Sequence, residues 1–304
     1  MIVSVRDRAS ELSVSRRSSA SGSARQRTAR RLRRLHPLRL IEFVLGTLWL
    51  VVVVVPIWFM ILSSLRNQTT YLTANPWVPS ALTTSEYSLV FDSGLGTYFI
   101  NSLIVTAASI VLTLTLSLAT SFRIVRRTSR ASGWTLRLLV FGLAVPIQAL
   151  IVPLYIIIDK LGLYDSLTAL VLTMSATAIP ISVLIMLSYV RDIPRELIDA
   201  MSVDGGGEWR VFASLIIPMS LPVLATVGIY DGLQVWNNFL LPLILTTSNS
   251  TAVLPLGLYK FQGQFGINVP AIMAAVLLSA IPLVVLYVSL RRQFVRGLSG
   301  VGMR

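Results

Sequence analysis

Residues 193–222 read IPRELIDAMSVDGGGEWRVFASLIIPMSLP, a polar, glycine-broken insert between two apolar segments that are each long enough to cross a membrane. Asp192 and Pro194 suit a helix start: an acid near the positive end of the helix dipole, and a proline in the first turn where no N–H partner is lost. Leu197, Ala200 and Met201 stand at i, i+3 and i+4, which predicts a shared helix face, with Arg195, Glu196, Asp199 and Ser202 elsewhere. Gly205-Gly206-Gly207, after Asp204, is expected to end that helix, because glycine accepts a left-handed turn. Glu208 then opens a second short helix carrying Trp209 and Phe212 one i+3 step apart, and Pro218 and Pro222 bend the chain back. A helix, a sharp turn and a second helix make a shape that suits insertion into a groove on a partner.

The chain around this insert is too apolar for an ordinary soluble domain: 54% of its 304 residues are hydrophobic and 13% are charged. A spanning helix needs about 20 mostly apolar residues. Six segments qualify, near 40–62, 98–122, 136–158, 167–189, 219–241 and 269–290. The expected fold class is therefore an all-α integral membrane protein of six transmembrane helices, with the helix-turn-helix insert between the fourth and fifth.

A net charge of +13 would suit a nucleic-acid binder, but the arginines alternate in step with the spans. They crowd the tail before the first span, then recur as Arg123, Arg126, Arg127, Arg130 and Arg137, as Arg191, Arg195 and Arg210, and as Arg291, Arg292, Arg296 and Arg304. The remaining loops hold only Arg66, Lys160 and Lys260. Positively charged loops stay inside, so both termini and the insert are expected on the cytoplasmic side of the membrane, and no nucleic acid is expected as partner. The first span is too long and too far from the start for a cleaved signal peptide, and reads as a retained signal-anchor. Residues 1–39, rich in Arg and Ser, are expected to be a disordered cytoplasmic tail. That tail either only fixes orientation or also binds anionic lipid or a regulatory partner. The permease domain then covers 40–304.

Catalytic chemistry finds little footing. There is no cysteine, and the single histidine, His36, lies in the tail, so no metal site is expected. A P-loop Gly-Lys-Ser/Thr is missing, so any ATP would be hydrolysed on another chain. Helix breakers occur inside the spans: Pro146 and Pro153 flank Gln148 in the third, with Pro180 in the fourth and Pro282 in the sixth. They read either as ordinary kinks or as joints of a protein that rearranges.

The fifth span carries an ionisable group, Asp231, about twelve residues in and thus roughly 18 Å deep. Gly228, Asp231, Gln234 and Asn238 recur at i, i+3, i+6 and i+10, predicting one polar face. Apart from Arg137 at the very edge of the third, no Arg or Lys stands inside any span to neutralise the carboxylate. With Trp236 and Asn237 nearby, and Asn101 near the outer end of the second span, these residues suit either a hydrated path for a polyhydroxyl solute or polar contacts that join two membrane subunits.

The insert resembles the EAA loop of ABC importer permeases, whose core is Glu-Ala-Ala, three further residues and Asp-Gly, then an aromatic and a Leu/Ile-Pro. Asp199-Ala200-Met201 stands at Glu-Ala-Ala, and Asp204-Gly205 at Asp-Gly, with Phe212, Ile217-Pro218 and Pro222 in register. Leu161-Gly162-Leu163-Tyr164-Asp165, Ile193-Pro194-Arg195-Glu196-Leu197, Trp236-Asn237-Asn238-Phe239 and Arg292-Gln293-Phe294-Val295-Arg296-Gly297-Leu298 are similar to the carbohydrate-uptake branch, closest to the maltose-type second permease. The similarity covers roughly residues 40–300. Asp199 shortens the family's Glu by one methylene, Met201 and Gly206 replace small alanines, and the chain ends Gly300-Val301-Gly302-Met303-Arg304 in place of Gly-Ala-Val-Lys-Gly.

The resemblance implies a non-enzymatic permease subunit that takes up a sugar, with no cofactor of its own. It implies three partners: a second permease chain, a cytoplasmic ATPase dimer holding ATP and magnesium, and an extracytoplasmic solute-binding protein. Glu196, Asp199, Ala200, Met201, Asp204, Gly205, Gly206, Trp209 and Phe212 are the positions it assigns to ATPase coupling. An importer for a polyamine, phosphate ester or amino acid would keep the same loop. A stand-alone channel or carrier would leave it unexplained, and a membrane-embedded enzyme lacks clustered catalytic groups.

Overall fold

The computed structural model describes residues 37–127, 129–264 and 268–299. The expectations for the tail before Pro37 and for the last five residues lie outside the described residues. The chain divides into two units, 1–59 and 60–304. Helix α1 (Pro37–Ser64), most of which lies in the first, begins three residues before the expected span and is apolar nearly all round, a pattern suited to lipid.

The second unit holds the rest, and no strand occurs among the described residues. Short helices α2 (Gln68–Thr73) and α3 (Ser85–Val90) come first. Just before α2, the buried Arg66 guanidinium donates to the Asn75 carbonyl at 2.9 Å and to that of Val78, both in the loop between the two helices, and so folds that loop back. A π-helical stretch, Phe91–Leu95, kinks at Gly94 (φ 86°) and leads into α4 (Gly96–Arg126). Then come α5 (Arg130–Ala144), α6 (Ile147–Lys160) and α7 (Leu167–Arg191). The insert gives α8 (Arg195–Val203), α9 (Glu208–Val211), a π-helical Phe212–Ile216 and α10 (Ile217–Met219). The remainder is α11 (Leu221–Trp236), α12 (Leu240–Leu245), α13 (Leu254–Gln264) and α14 (Val269–Ser299).

Four stretches are long and apolar enough to cross a membrane, or six if each of two bent pairs is one span. The third expected span is not one helix: α5 and α6 meet at 109°. Pro146 cannot join the preceding hydrogen-bond ladder and pushes Val145 into extended backbone (ψ 117°), so the helix ends outright. Pro153, Pro180 and Pro282 are carried inside their helices. The fifth expected span is shorter than 219–241: a 72° bend at Ser220 precedes it, and the Asn237-Asn238 pair ends it. Asn238 Oδ1 accepts from Leu241 N–H at 3.1 Å and so starts α12 separately.

α4 lies along α7 over most of its length. The α4 face at that seam is Ser102, Thr106, Ser109, Thr113, Ser117 and Ser121, all buried, and α7 adds Ser175 and Ser182. Small hydroxylated side chains let two backbones approach closely where lipid offers no hydrophobic drive to bring them together. Ser175 and Ser121 hydroxyls cross the seam to the Ser109 and Val183 carbonyls at 3.4 and 3.2 Å. Apolar clusters fill both ends of the pair. Val105, Leu170, Met174 and Leu245 pack near the α4 N-terminal half, and Leu118, Phe122, Met186, Val190 and Ile216 near its C-terminal half.

Candidate functional site

The insert packs against the C-terminal end of α4. Its helix boundaries match the expected ones, but the face does not. Ile198 is the buried residue of α8, with Met201 half-buried beside it, while Leu197 is 43% exposed and Ala200 is exposed too. The expected 197/200/201 face is thus rotated by about 100°, one residue's step around a helix, because Phe122, Met186 and Val190 meet the helix from the Ile198 side. Glu196, Asp199 and Asp204 are exposed.

The three glycines serve three needs. Gly205 holds φ 77°, a left-handed conformation. Gly206 donates its N–H to the Met201 carbonyl at 2.9 Å, and a Cβ there would stand 2.7 Å from that same oxygen. Gly207 is the extended residue from which α9 starts. At α9 and the π-helical turn after it, the aromatic pair divides its labour. Phe212 is buried against Phe122 (centroids 5.6 Å), and Trp209, 5.9 Å from Phe212, is 76% exposed.

Two ion pairs tie the insert to α4. Arg126 reaches Asp199 at 3.5 Å and the Ser202 hydroxyl at 3.2 Å, and Arg127 reaches Glu208 at 2.8 Å. Hydrogen bonding from the Arg127 guanidinium, with the charge of Arg127 and then of Arg123 and Arg126, holds the Glu208 carboxyl below the usual range. The arginines were visible in sequence only as a charge signal. Their partnership with the insert needed the fold.

Asp231 is buried (1% exposed) on α11, facing α7. The Ser182 hydroxyl lies 2.9 and 3.1 Å from its two oxygens and 2.9 Å from the Ala178 carbonyl. With one proton, that hydroxyl serves one of these acceptors at a time. No cation pairs with the carboxylate among the described residues. Asp231, Gln234 and Asn238 share a cavity of about 210 Å³ with Thr177, Ala178 and Tyr230. The polar face is shorter than expected, since Gly228 turns to Ile110 and Leu114 of α4.

The other polar candidates sit elsewhere. Trp236 is buried edge-on to Phe99 and donates its indole N–H to the Ser279 carbonyl at 3.2 Å. Asn237 is exposed and donates back to the Leu233 carbonyl at 2.8 Å. Asn101 donates to the carbonyls of Ser250 and Ala252 at 2.7 and 2.9 Å, anchoring the loop after α12. Ser182, which sequence reasoning did not single out, is the Asp231 partner. Its only signal was a polar residue in an apolar span.

A family model described as the inner membrane component of binding-protein-dependent transport systems matches residues 112–300, more than half of the chain. The chain belongs to that family. The permease is 31% identical, over 83% of its length and 92% of the relative's, to the arabinooligosaccharides transport system permease protein AraQ of Halalkalibacterium halodurans. It is 29% identical to the diacetylchitobiose uptake system permease protein NgcG of Streptomyces coelicolor, over 85% and 87% of the two chains. A chain from the crystal structure of a bacterial ABC transporter that imports the acidic polysaccharide alginate shares the fold, with a TM-score of 0.76 at 18% identity. That likeness covers 86% of this permease and 98% of that chain. The match to the family model takes in the whole insert, α11 and the C-terminal half of α4 with Arg126 in its last turn and Arg127 just after it.

Proposed function

We propose that this permease is one half of the membrane path of an ATP-driven importer for an oligosaccharide. The observation that carries the reading is the insert itself: a glycine-hinged pair of short helices, anchored by Ile198 and Phe212, that presents Trp209 outward. An exposed aromatic on a rigidly seated element is a feature a partner can grip. That partner is a cytoplasmic ATPase dimer, which holds ATP and magnesium while this chain binds no cofactor. Closure of the dimer pulls on Glu196, Asp199, Ala200, Met201, Asp204, Gly205, Gly206, Trp209 and Phe212, and tilts the spans between inward- and outward-open states. Coupling of this kind requires different contacts in the two states.

The positive-inside pattern orients the permease with both termini and the insert in the cytoplasm. A second permease chain completes the path, and a solute-binding protein delivers the solute at the opposite face. The names of relatives that handle arabinooligosaccharides and diacetylchitobiose support a sugar as the solute. Within the path, Asp231, Gln234 and Asn238 offer acceptors and donors suited to hydroxyls. The test is uptake of a panel of labelled oligosaccharides by cells with and without this subunit. Loss of uptake of one class on deletion, and its return on complementation, is expected. Unchanged uptake of every sugar, with loss of a polyamine or phosphate ester instead, would sink the sugar reading and keep the importer.

A further inference from the structure

Beside the insert is a cavity of about 420 Å³ whose arginine-lined side the coupling role does not use. Its floor is apolar: Ala119, Phe122 and Phe212. Its rim holds Arg123, Arg126 and Arg127 against a single acid, Glu208, and exposed Trp209 closes one side. Two of these arginines are engaged, Arg126 by Asp199 and Arg127 by Glu208. Arg123 makes no side-chain hydrogen bond or ion pair among the described residues, yet its charge is felt at Glu208. The cavity therefore has an uncommitted guanidinium over a hydrocarbon floor.

Its position narrows the ligand. Val111, Thr115, Ala119 and Arg123 succeed one another at i+4 on α4, so one face of that helix leads from the apolar mid-helix straight into the cavity. Guanidinium groups at the end of a spanning helix sit at headgroup level, where basic pockets hold anionic lipid. An indole with one apolar and one wet side favours the same depth. A solute from the cytosol would need no hydrocarbon track. A lipid needs both parts, a cation for the phosphate and an apolar channel for the chain.

We propose that this cavity binds the phosphate headgroup of an anionic phospholipid, with Arg123 as its principal cation and an acyl chain along Ala119 and Val111. The bound lipid joins α4 to α9 and so conditions the posture of the insert. The proposal rests on the reading of α4 as a membrane span, and not on which solute is carried.

The test uses the full chain with its copurifying partners in phosphatidylcholine nanodiscs containing a minor share of brominated phosphatidylglycerol or brominated phosphatidylcholine. Trp209 emission is isolated from the other five of the chain's 6 tryptophans by difference against Trp209→Phe. Quenching of Trp209 by brominated phosphatidylglycerol and not by its zwitterionic counterpart is expected. Arg123→Gln should shift the half-quenching lipid fraction up by about fivefold, the share of one surface cation, and Arg123→Lys should restore most of it. Equal quenching by the two lipids, or an Arg123→Gln curve that superposes on the parent, overturns the proposal. Release of quenching by millimolar inorganic phosphate, without added salt effect from chloride, reassigns the site to a soluble phosphate and overturns the lipid. Sugar uptake is measured separately, so failure here leaves the importer reading standing.

Discussion

Asn101 and Arg126 stand on the same helix, roughly 37 Å apart along it, and the chain fastens those two ends by opposite means. At the Asn101 end the ties are many, short and mostly made to backbone. Asn101 holds two carbonyls, Ser102 Oγ accepts from Leu254 N–H at 2.7 Å, and one Asp165 oxygen accepts from Thr251 Oγ1 and the Thr247 and Ser248 N–H groups. Asp165 itself sits at φ 57°, and its own N–H donates to the Leu245 carbonyl at 3.0 Å. The Thr251 hydroxyl above all, then the Thr247 and Ser248 N–H groups, hold its carboxyl far below the usual carboxylate range, against the opposing pull of burial. At the Arg126 end the polar ties are two exposed ion pairs and the Arg126–Ser202 hydrogen bond, all between side chains and all weakened by water and salt. The rest of the hold there is the apolar contact of Ile198 and Phe212 with Phe122. One end is stapled and the other is clasped, which is the distribution expected if the insert is the part that moves.

The comparison breaks most visibly at the hinge. Gly205→Pro demands φ near −65° where 77° is needed and deletes the N–H that reaches the Ser202 carbonyl. Uptake should fall to background while the chain remains in the membrane; normal uptake would end the docking model. Next comes the staple. Asp165→Asn keeps the left-handed residue but loses a charged acceptor of three hydrogen bonds, and should cost about 2 kcal/mol in thermal unfolding of the purified permease. Because the folded carboxyl is depressed, its stabilisation is complete above about pH 4 and is lost as pH falls further, where the unfolded chain takes up the proton first. The Asp165→Asn variant should lack that decline.

Smaller again is the mid-helix change. Asp231→Ala should lower uptake about tenfold, the worth of one buried hydrogen-bonding partner, with copurification of the second permease intact. Loss of copurification would mark Asp231 as a subunit contact. Smallest is the clasp: Arg127→Ala should leave thermal stability unchanged at physiological salt. A melting shift as large as that of Asp165→Asn would erase the contrast between the ends.

Much of the insert was legible because glycine and proline act locally. The Gly205 turn and the short α9 follow from three or four residues of sequence, and the structure places them where the pattern does. Which side of α8 faces inward was not legible. Leu197 and Ile198 are equally apolar, and the choice is made by Phe122 and Met186, distant in sequence. The same limit hid the α5–α6 corner. Pro146 and Pro180 look alike in an apolar run, yet one ends its helix and the other rides inside it, according to what each neighbour can satisfy. Asp231 announced itself by charge alone. Its partner Ser182 and the turn of Trp236 toward Ser279 depend on the packing of α7 and α14.

The hydroxyl seam between α4 and α7 carries a mechanical consequence. Side chains as small as Ser109, Ser117 and Ser182 leave almost nothing to compress, so a tilt of either helix would be passed to the other with little sliding to absorb it. Over the length from Arg126 to Asn101, a tilt of about 5° displaces the far end by roughly 3 Å. Eight short polar residues thereby hold the two helices as one stiff pair, and a bulkier side chain at any of them would wedge the pair apart.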